Sequence, residues 1–179
     1  MNKRLVYFIL AVVAQAAILA AVPGKQVYAR LTGKLITIKT APVDPYDFLS
    51  GYHVILSYDI SRPPGFGPTR RNRRSARERN KPVYVMLKEG DDGIWSATSA
   101  HDTWPRNVPN GCLVIKGYGS ARRGIRYGIE SYFIPEKHRD AIEKDLRQNR
   151  RQAKAQIKVD RFGNAALIRL LIEDRVYEY

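Results

Sequence analysis

Leu5 through Val22 is an unbroken run of eighteen residues in which only Gln15 is polar. It constrains the chain more than any other feature, because that much apolar surface must be withdrawn from water by something. A bilayer core is crossed by about 20 apolar residues, with a lower limit near 17, whereas a signal-peptide core is shorter, roughly 7–15 residues. The length therefore favours an uncleaved membrane anchor over residues 1–24 and a soluble domain over residues 25–179. Lys3 and Arg4 precede the run, and Pro23-Gly24 is expected to break it. The competing reading is a cleaved signal peptide, with Val27-Tyr28-Ala29 or Ala20-Ala21 as the small-residue cleavage site. Lys25, Arg30, Lys34 and Lys39 lie beyond the run and, counted alone, would hold the domain in the cytoplasm. Long domains translocate largely regardless of charge, and a short basic leader favours export of the domain behind it. The expectation is a single-pass membrane protein with its domain extracytoplasmic.

Beyond the run, eleven tyrosines and many valines and isoleucines favour strands over helices. Leu31 to Thr40 reads as a strand. Tyr52 to Ser61 is the clearest, with Val54, Leu56, Tyr58 and Ile60 on one face and His53, Ile55, Ser57 and Asp59 on the other. Val83 to Lys88 and Ile94 to Ser99 are predicted to pair through a turn at Glu89 to Gly93. Cys112 to Gly117 and Ile125 to Phe133 are predicted as strands around a glycine-rich, basic turn at Gly117 to Gly124. Pro135 opens the one helix predicted in the domain, from Glu136 to about Ala153, with acids early and bases late to suit the helix dipole. Gln156 to Val159 and Ala165 to Glu173 read as a hairpin. The fold class expected is α+β: an N-terminal transmembrane helix, then a β-rich domain of about eight short strands with one helix.

The net charge of +14 invites a nucleic-acid reading, but the charge is partly concentrated. Between Arg70 and Lys81 seven basic residues face the single acid Glu78. The segment at about 62–81 holds no large apolar residue after Phe66 and reads as a disordered basic loop. Its arginines (Arg70, Arg71, Arg73, Arg74, Arg77, Arg79) are suited to anionic lipid headgroups. With no aromatic interleaved among them, base stacking is not expected and nucleic acid is a disfavoured partner. The single cysteine, Cys112, permits no internal disulfide and is read as a small buried hydrophobe. His53, His101 and His138 match no metal-ligand spacing, and Asp91-Asp92 sits where a turn wants aspartate. No cofactor or metal is expected.

At Gly51-Tyr52-His53-Val54-Ile55-Leu56-Ser57-Tyr58 the chain resembles the bacterial family named for its GDYxxLxY motif. Leu31-Thr32-Gly33, Ile38 to Pro45 and Phe48-Leu49-Ser50 look like that family's approach to the motif. The segment Arg126-Tyr127-Gly128-Ile129-Glu130-Ser131-Tyr132-Phe133-Ile134-Pro135-Glu136 and the closing Val159 to Leu167 fit as well. Tyr52 stands where the motif has Asp, and His53 where it has Tyr, while Gly51, Leu56 and Tyr58 match. The resemblance implies a bacterial membrane-anchored protein, often found beside multi-pass membrane proteins, and no known activity. A motif that has lost its acid is better explained as structural. Gly51 suits a turn, and Leu56 and Tyr58 bury together from one strand face.

The function expected is a non-enzymatic, membrane-anchored interaction module at the bacterial inner or plasma membrane, acting on another membrane protein or the lipid surface. One alternative is a membrane-tethered serine–lysine hydrolase, which would draw on Ser50, Ser57 or Ser61 with Lys81 or Lys88; the Ser-Met motif of such enzymes is absent. Another is a cytoplasmic-facing nucleic-acid or anionic-lipid binder acting through the arginine loop.

Overall fold

A computed structural model describes residues 3–41, 49–50, 53–66, 81–120, 124–133, 153–172 and 175–178. The arginines of the basic loop, Gly51 and Tyr52 of the motif, and the helix expected from Glu136 to residue 152 lie outside the described residues.

The chain opens with helix α1 (Lys3–Thr32). Pro23-Gly24, expected to end the apolar helix, bends it instead: Lys3–Leu19 and Gly24–Thr32 lie at 53° to one another. A proline inside a helix removes one hydrogen bond and crowds the preceding turn, which kinks a helix that packing then continues. Beyond the bend Ala29 is fully buried against the domain, and Gly33 N–H donates to the Ala29 carbonyl at 2.9 Å. The first strand therefore begins at Lys34 rather than Leu31. Among the described residues no single helix is long and apolar enough to cross a membrane; the two halves of α1 meet that requirement only together.

Twelve strands lie beyond α1 among the described residues, more than the eight expected. They are β1 (Lys34–Ala41), β2 (Leu49–Ser50), β3 (His53–Ile55), β4 (Ser57–Tyr58), β5 (Lys81–Glu89), β6 (Ile94–His101), β7 (Cys112–Ser120), β8 (Gly124–Arg126), β9 (Ser131–Phe133), β10 (Ala153–Val159), β11 (Ala165–Ile172) and β12 (Arg175–Glu178). One sheet runs β12-β11-β10-β1-β6-β5-β7-β8, with β4 added beside the end of β1; a second, three-stranded sheet runs β2-β3-β9. All pairings are antiparallel except β1 with β6, where Ile38 lies opposite Trp95.

Two of the four additional strands come from predicted strands that irregularities divide; the other two, β2 and β12, form where no strand was predicted. The run from Tyr52 to Ser61 leaves one sheet and joins the other at Leu56, then closes in a 3-10 turn at Asp59–Ser61. Its side-chain alternation survives the break, for Leu56, Tyr58 and Ile60 are all buried. Ile125 to Phe133 is likewise interrupted by a turn at Tyr127–Glu130. Ala153, expected to close the helix, instead opens β10. Alanine favours a helix locally, but Ala153, Ala155, Ile157 and Val159 recur at every second position and all four are buried. The turn between β5 and β6 matches expectation: Asp92 Oδ1 accepts the Ile94 N–H at 3.1 Å, the local bond for which aspartate is chosen. Cys112 is half-buried at the start of β7 rather than buried.

One face of the large sheet carries the core. Ile36 and Ile38 of β1, Val85 and Leu87 of β5, Ile115 of β7, Ile157 of β10 and Leu170 of β11 are buried together. Leu56, Tyr58, Ile60, Ile125, Tyr127 and Ile129 join the same cluster. Each such large side chain contributes roughly 1.5–3 kcal/mol on burial. The two motif segments thus form part of the core.

Candidate functional site

Two features stand out where α1 meets the sheet: a clasp made by the motif segments, and a basic cleft beside it.

The clasp is a reciprocal exchange. The Tyr58 hydroxyl donates to the Ile129 carbonyl at 2.6 Å, and the Tyr127 hydroxyl donates to the Ile60 carbonyl at 2.5 Å, both buried. Between them the Leu56 N–H donates to the Glu130 carbonyl at 2.6 Å. The ladder continues as β3 pairs with β9, where Val54 lies opposite Tyr132 and Ile55 opposite Ser131. The turn carrying Tyr127 is held by its own acid. Glu130 Oε1 accepts the Tyr127 N–H at 2.5 Å, and Oε2 accepts the Gly128 N–H at 2.9 Å. Gly128 sits at φ +80°, a conformation most side chains oppose.

Burial, and secondarily the Glu130 carboxylate, pushes the Tyr58 phenol well above its ordinary range. The same two causes in the same order raise Tyr127. Both rings are therefore neutral hydroxyl donors with their protons committed to backbone carbonyls. As acid–base groups they are poorly matched to chemistry near neutral pH.

Of the residues singled out from sequence, Leu56, Tyr58, Tyr127, Gly128 and Glu130 come together here. Arg126 is exposed on β8, opposite Tyr118 of β7. Tyr132 takes its place in the ladder, while its side chain lies outside the described residues. Among the described residues no group of three or more His, Cys, Asp or Glu gathers as a metal site. His101 is exposed, its Nε2 2.9 Å from the Ser99 hydroxyl.

The model of the GDYXXLXY protein family matches residues 15–170, most of the chain. The chain belongs to the GDYXXLXY family. No curated protein and no solved structure matches it. In this GDYXXLXY protein the motif's closing Leu and Tyr, Leu56 and Tyr58, tie one segment to another about seventy residues away, since Tyr58 and Ile129 are 71 positions apart.

The cleft was not foreseen from sequence. It encloses about 410 Å³ and is walled by Lys25 and Gln26 of α1, Lys116 and Tyr118 of β7, Tyr127 of the clasp, and Asn164 of the turn before β11. Gln26 Nε2 donates to the Gly128 carbonyl at 3.3 Å, joining helix to clasp. Lys116 N–H donates to the Gly163 carbonyl at 2.8 Å, which seats the β10–β11 turn against β7. Lys116 Nζ lies 5.6 Å from the Tyr118 ring centre. β7 runs on to Ser120 through part of the segment predicted as a turn from Gly117 to Gly124, which puts Lys116 and Tyr118 on one face of a strand; that Lys25 lines the same cleft is a tertiary arrangement no local pattern shows.

Proposed function

We propose that this GDYXXLXY protein is a non-enzymatic interaction module held at a membrane by its N-terminal helix, its β-rich domain extracytoplasmic and serving a membrane-protein partner. The observation that carries the reading is the exposure of the first half of α1. Tyr7, Phe8, Ile9 and Leu10 are four consecutive residues, each 48–69% exposed. At 100° per residue these four look in every direction around the helix, so an apolar surrounding suits them better than a groove on one side. At about 1.5 Å per residue the straight stretch from Leu5 to Leu19 rises about 22 Å, and the last three residues of the run lie at the bend, so the apolar helix reaches most of the way across a hydrocarbon core. The clasp supports a structural rather than chemical role for the motif, because its phenols and its acid are all committed to backbone groups.

The test is extraction and topology together. Full-length protein should stay with membranes through an alkaline carbonate wash, and a reporter fused after Tyr179 should be active outside the cytoplasm. Release by carbonate would refute anchoring; a cytoplasmic reporter signal in carbonate-resistant protein would refute the orientation alone.

A further inference from the structure

We infer that the cleft at the foot of α1 binds a phosphate-bearing anion, and that its source is the headgroup of an anionic lipid in the membrane α1 enters. The inference rests on the anchoring proposed above for the source of the anion, though not for the site itself.

The first support is charge. Lys25 and Lys116 come from elements far apart in sequence and converge on one concavity whose walls, among the described residues, hold no acid. The carboxylates of the two adjoining turns are already engaged. Asp160 Oδ1 accepts the N–H groups of Phe162 and Asn164, and its Oδ2 accepts the Asn164 side-chain amide. Glu130 spends both oxygens on Tyr127 and Gly128. Those carboxylates keep their charge but have their oxygens turned to these N–H groups, so the ammonium donors of Lys25 and Lys116 are left to take up an anion in the cleft.

The second support is depth. Lys25 lies three residues beyond Val22, the last apolar residue of the run. Three residues of helix rise about 4.5 Å, and less than that along the axis of the first half because the bend lies between Leu19 and Gly24, while the headgroup layer on each side of a hydrocarbon core is about 5–7 Å thick. A helix with Val22 at the edge of the hydrocarbon places Lys25 among the phosphates. The surrounding surface suits that level. Tyr28 and Phe162 are exposed rings 6.0 Å apart, and the Arg161 guanidinium lies 4.7 Å from the Phe162 ring centre. Tyrosine, with its amphipathic ring, and arginine favour the membrane–water interface, and the Phe162 ring adds exposed apolar surface beside them.

The experiment uses the full-length chain in uncharged dodecyl maltoside micelles, with its melting temperature tracked by tryptophan fluorescence. Dioctanoyl-phosphatidylglycerol, dioctanoyl-phosphatidylcholine and glycerol 1-phosphate are titrated separately. Phosphatidylglycerol should raise the melting temperature in a saturable way and the other two should not. Lys25→Gln and Lys116→Gln should each weaken half-saturation about fivefold, and Lys116→Arg should restore it. Equal shifts with phosphatidylcholine, or unchanged half-saturation in both glutamine variants, would overturn the site. A glycerol 1-phosphate effect equal to that of the lipid would keep the anion site and overturn its lipid source. Because binding is read in micelles, carbonate release of the protein from cell membranes would sink the anchoring without touching this result.

Discussion

Beyond the backbone ladder, two tyrosine hydroxyls tie the motif segments together, and each can be removed singly. Tyr58→Phe leaves the Ile129 carbonyl buried without its donor, and Tyr127→Phe does the same to Ile60. Each should destabilise the domain by about 1–3 kcal/mol in urea melts, with little change in the sheet signal of the folded protein. The same tyrosines set an alkaline limit. Their folded-state values are raised, while in an unfolded chain a tyrosine ionises near pH 10. Below that pH both states hold the proton and these groups add no pH dependence. Above it the unfolded chain releases protons that the folded chain keeps, so stability falls as pH rises, by up to about 1.4 kcal/mol per pH unit for each tyrosine. Urea melts between pH 9 and 11 should show this decline in the native protein and a shallower one in either Phe variant. Equal slopes would show that the buried phenols are not its source. At Gly128, alanine would have to adopt φ +80°, and Gly128→Ala should cost about 1 kcal/mol.

At the scale of elements, the join between α1 and the sheet depends on Gly33. A Cβ built there would lie 2.5 Å from the Ala29 carbonyl oxygen and 2.9 Å from the backbone of Val159. Both neighbours are backbone, so neither can yield by a change of rotamer. Gly33→Ala must lift the helix end from β10, and should lower the unfolding midpoint by the equivalent of about 1–3 kcal/mol. It should also increase amide exchange at Gln26, whose side chain reaches the Gly128 carbonyl across this join. A Gly33→Ala protein with native stability would mean that the helix end is not seated as described. The Lys158 ammonium, 2.8 Å from the Arg30 carbonyl, is a second tie between the same elements.

For the whole molecule the decisive question is what covers the first half of α1. Val13 stands near the middle of the apolar run and is exposed. A charged residue at the centre of a membrane helix costs about 2.5–3.5 kcal/mol on the insertion scale. If α1 anchors the protein as proposed, Val13→Asp should therefore move a large part of it from the membrane to the soluble fraction while leaving the melting temperature of the β-rich domain unchanged. If retention is unaffected, the helix is covered by something other than lipid.

The apolar run, the strand-rich character of the domain and the family were legible in the sequence, because each rests on local pattern: an unbroken stretch, a period of two, a motif of adjacent residues. Val54, Leu56, Tyr58 and Ile60 were placed on one face by alternation, and the structure buries Leu56, Tyr58 and Ile60. Only tertiary structure decided where strands break. The leaving of one sheet for another at Leu56, and the turn that Glu130 pins at Tyr127 and Gly128, depend on partners tens of residues away or on a carboxylate folding back on its own backbone. It also decided that helix would continue past Pro23, since the burial of Ala29 against the sheet offsets a local cost that the sequence states plainly. The cleft is the clearest case. Lys25 and Lys116 are ninety-one positions apart, and no local pattern links them; they line one cleft because β7, through Lys116 N–H, and α1, through Tyr28, both pack against the turn at Asp160 to Asn164.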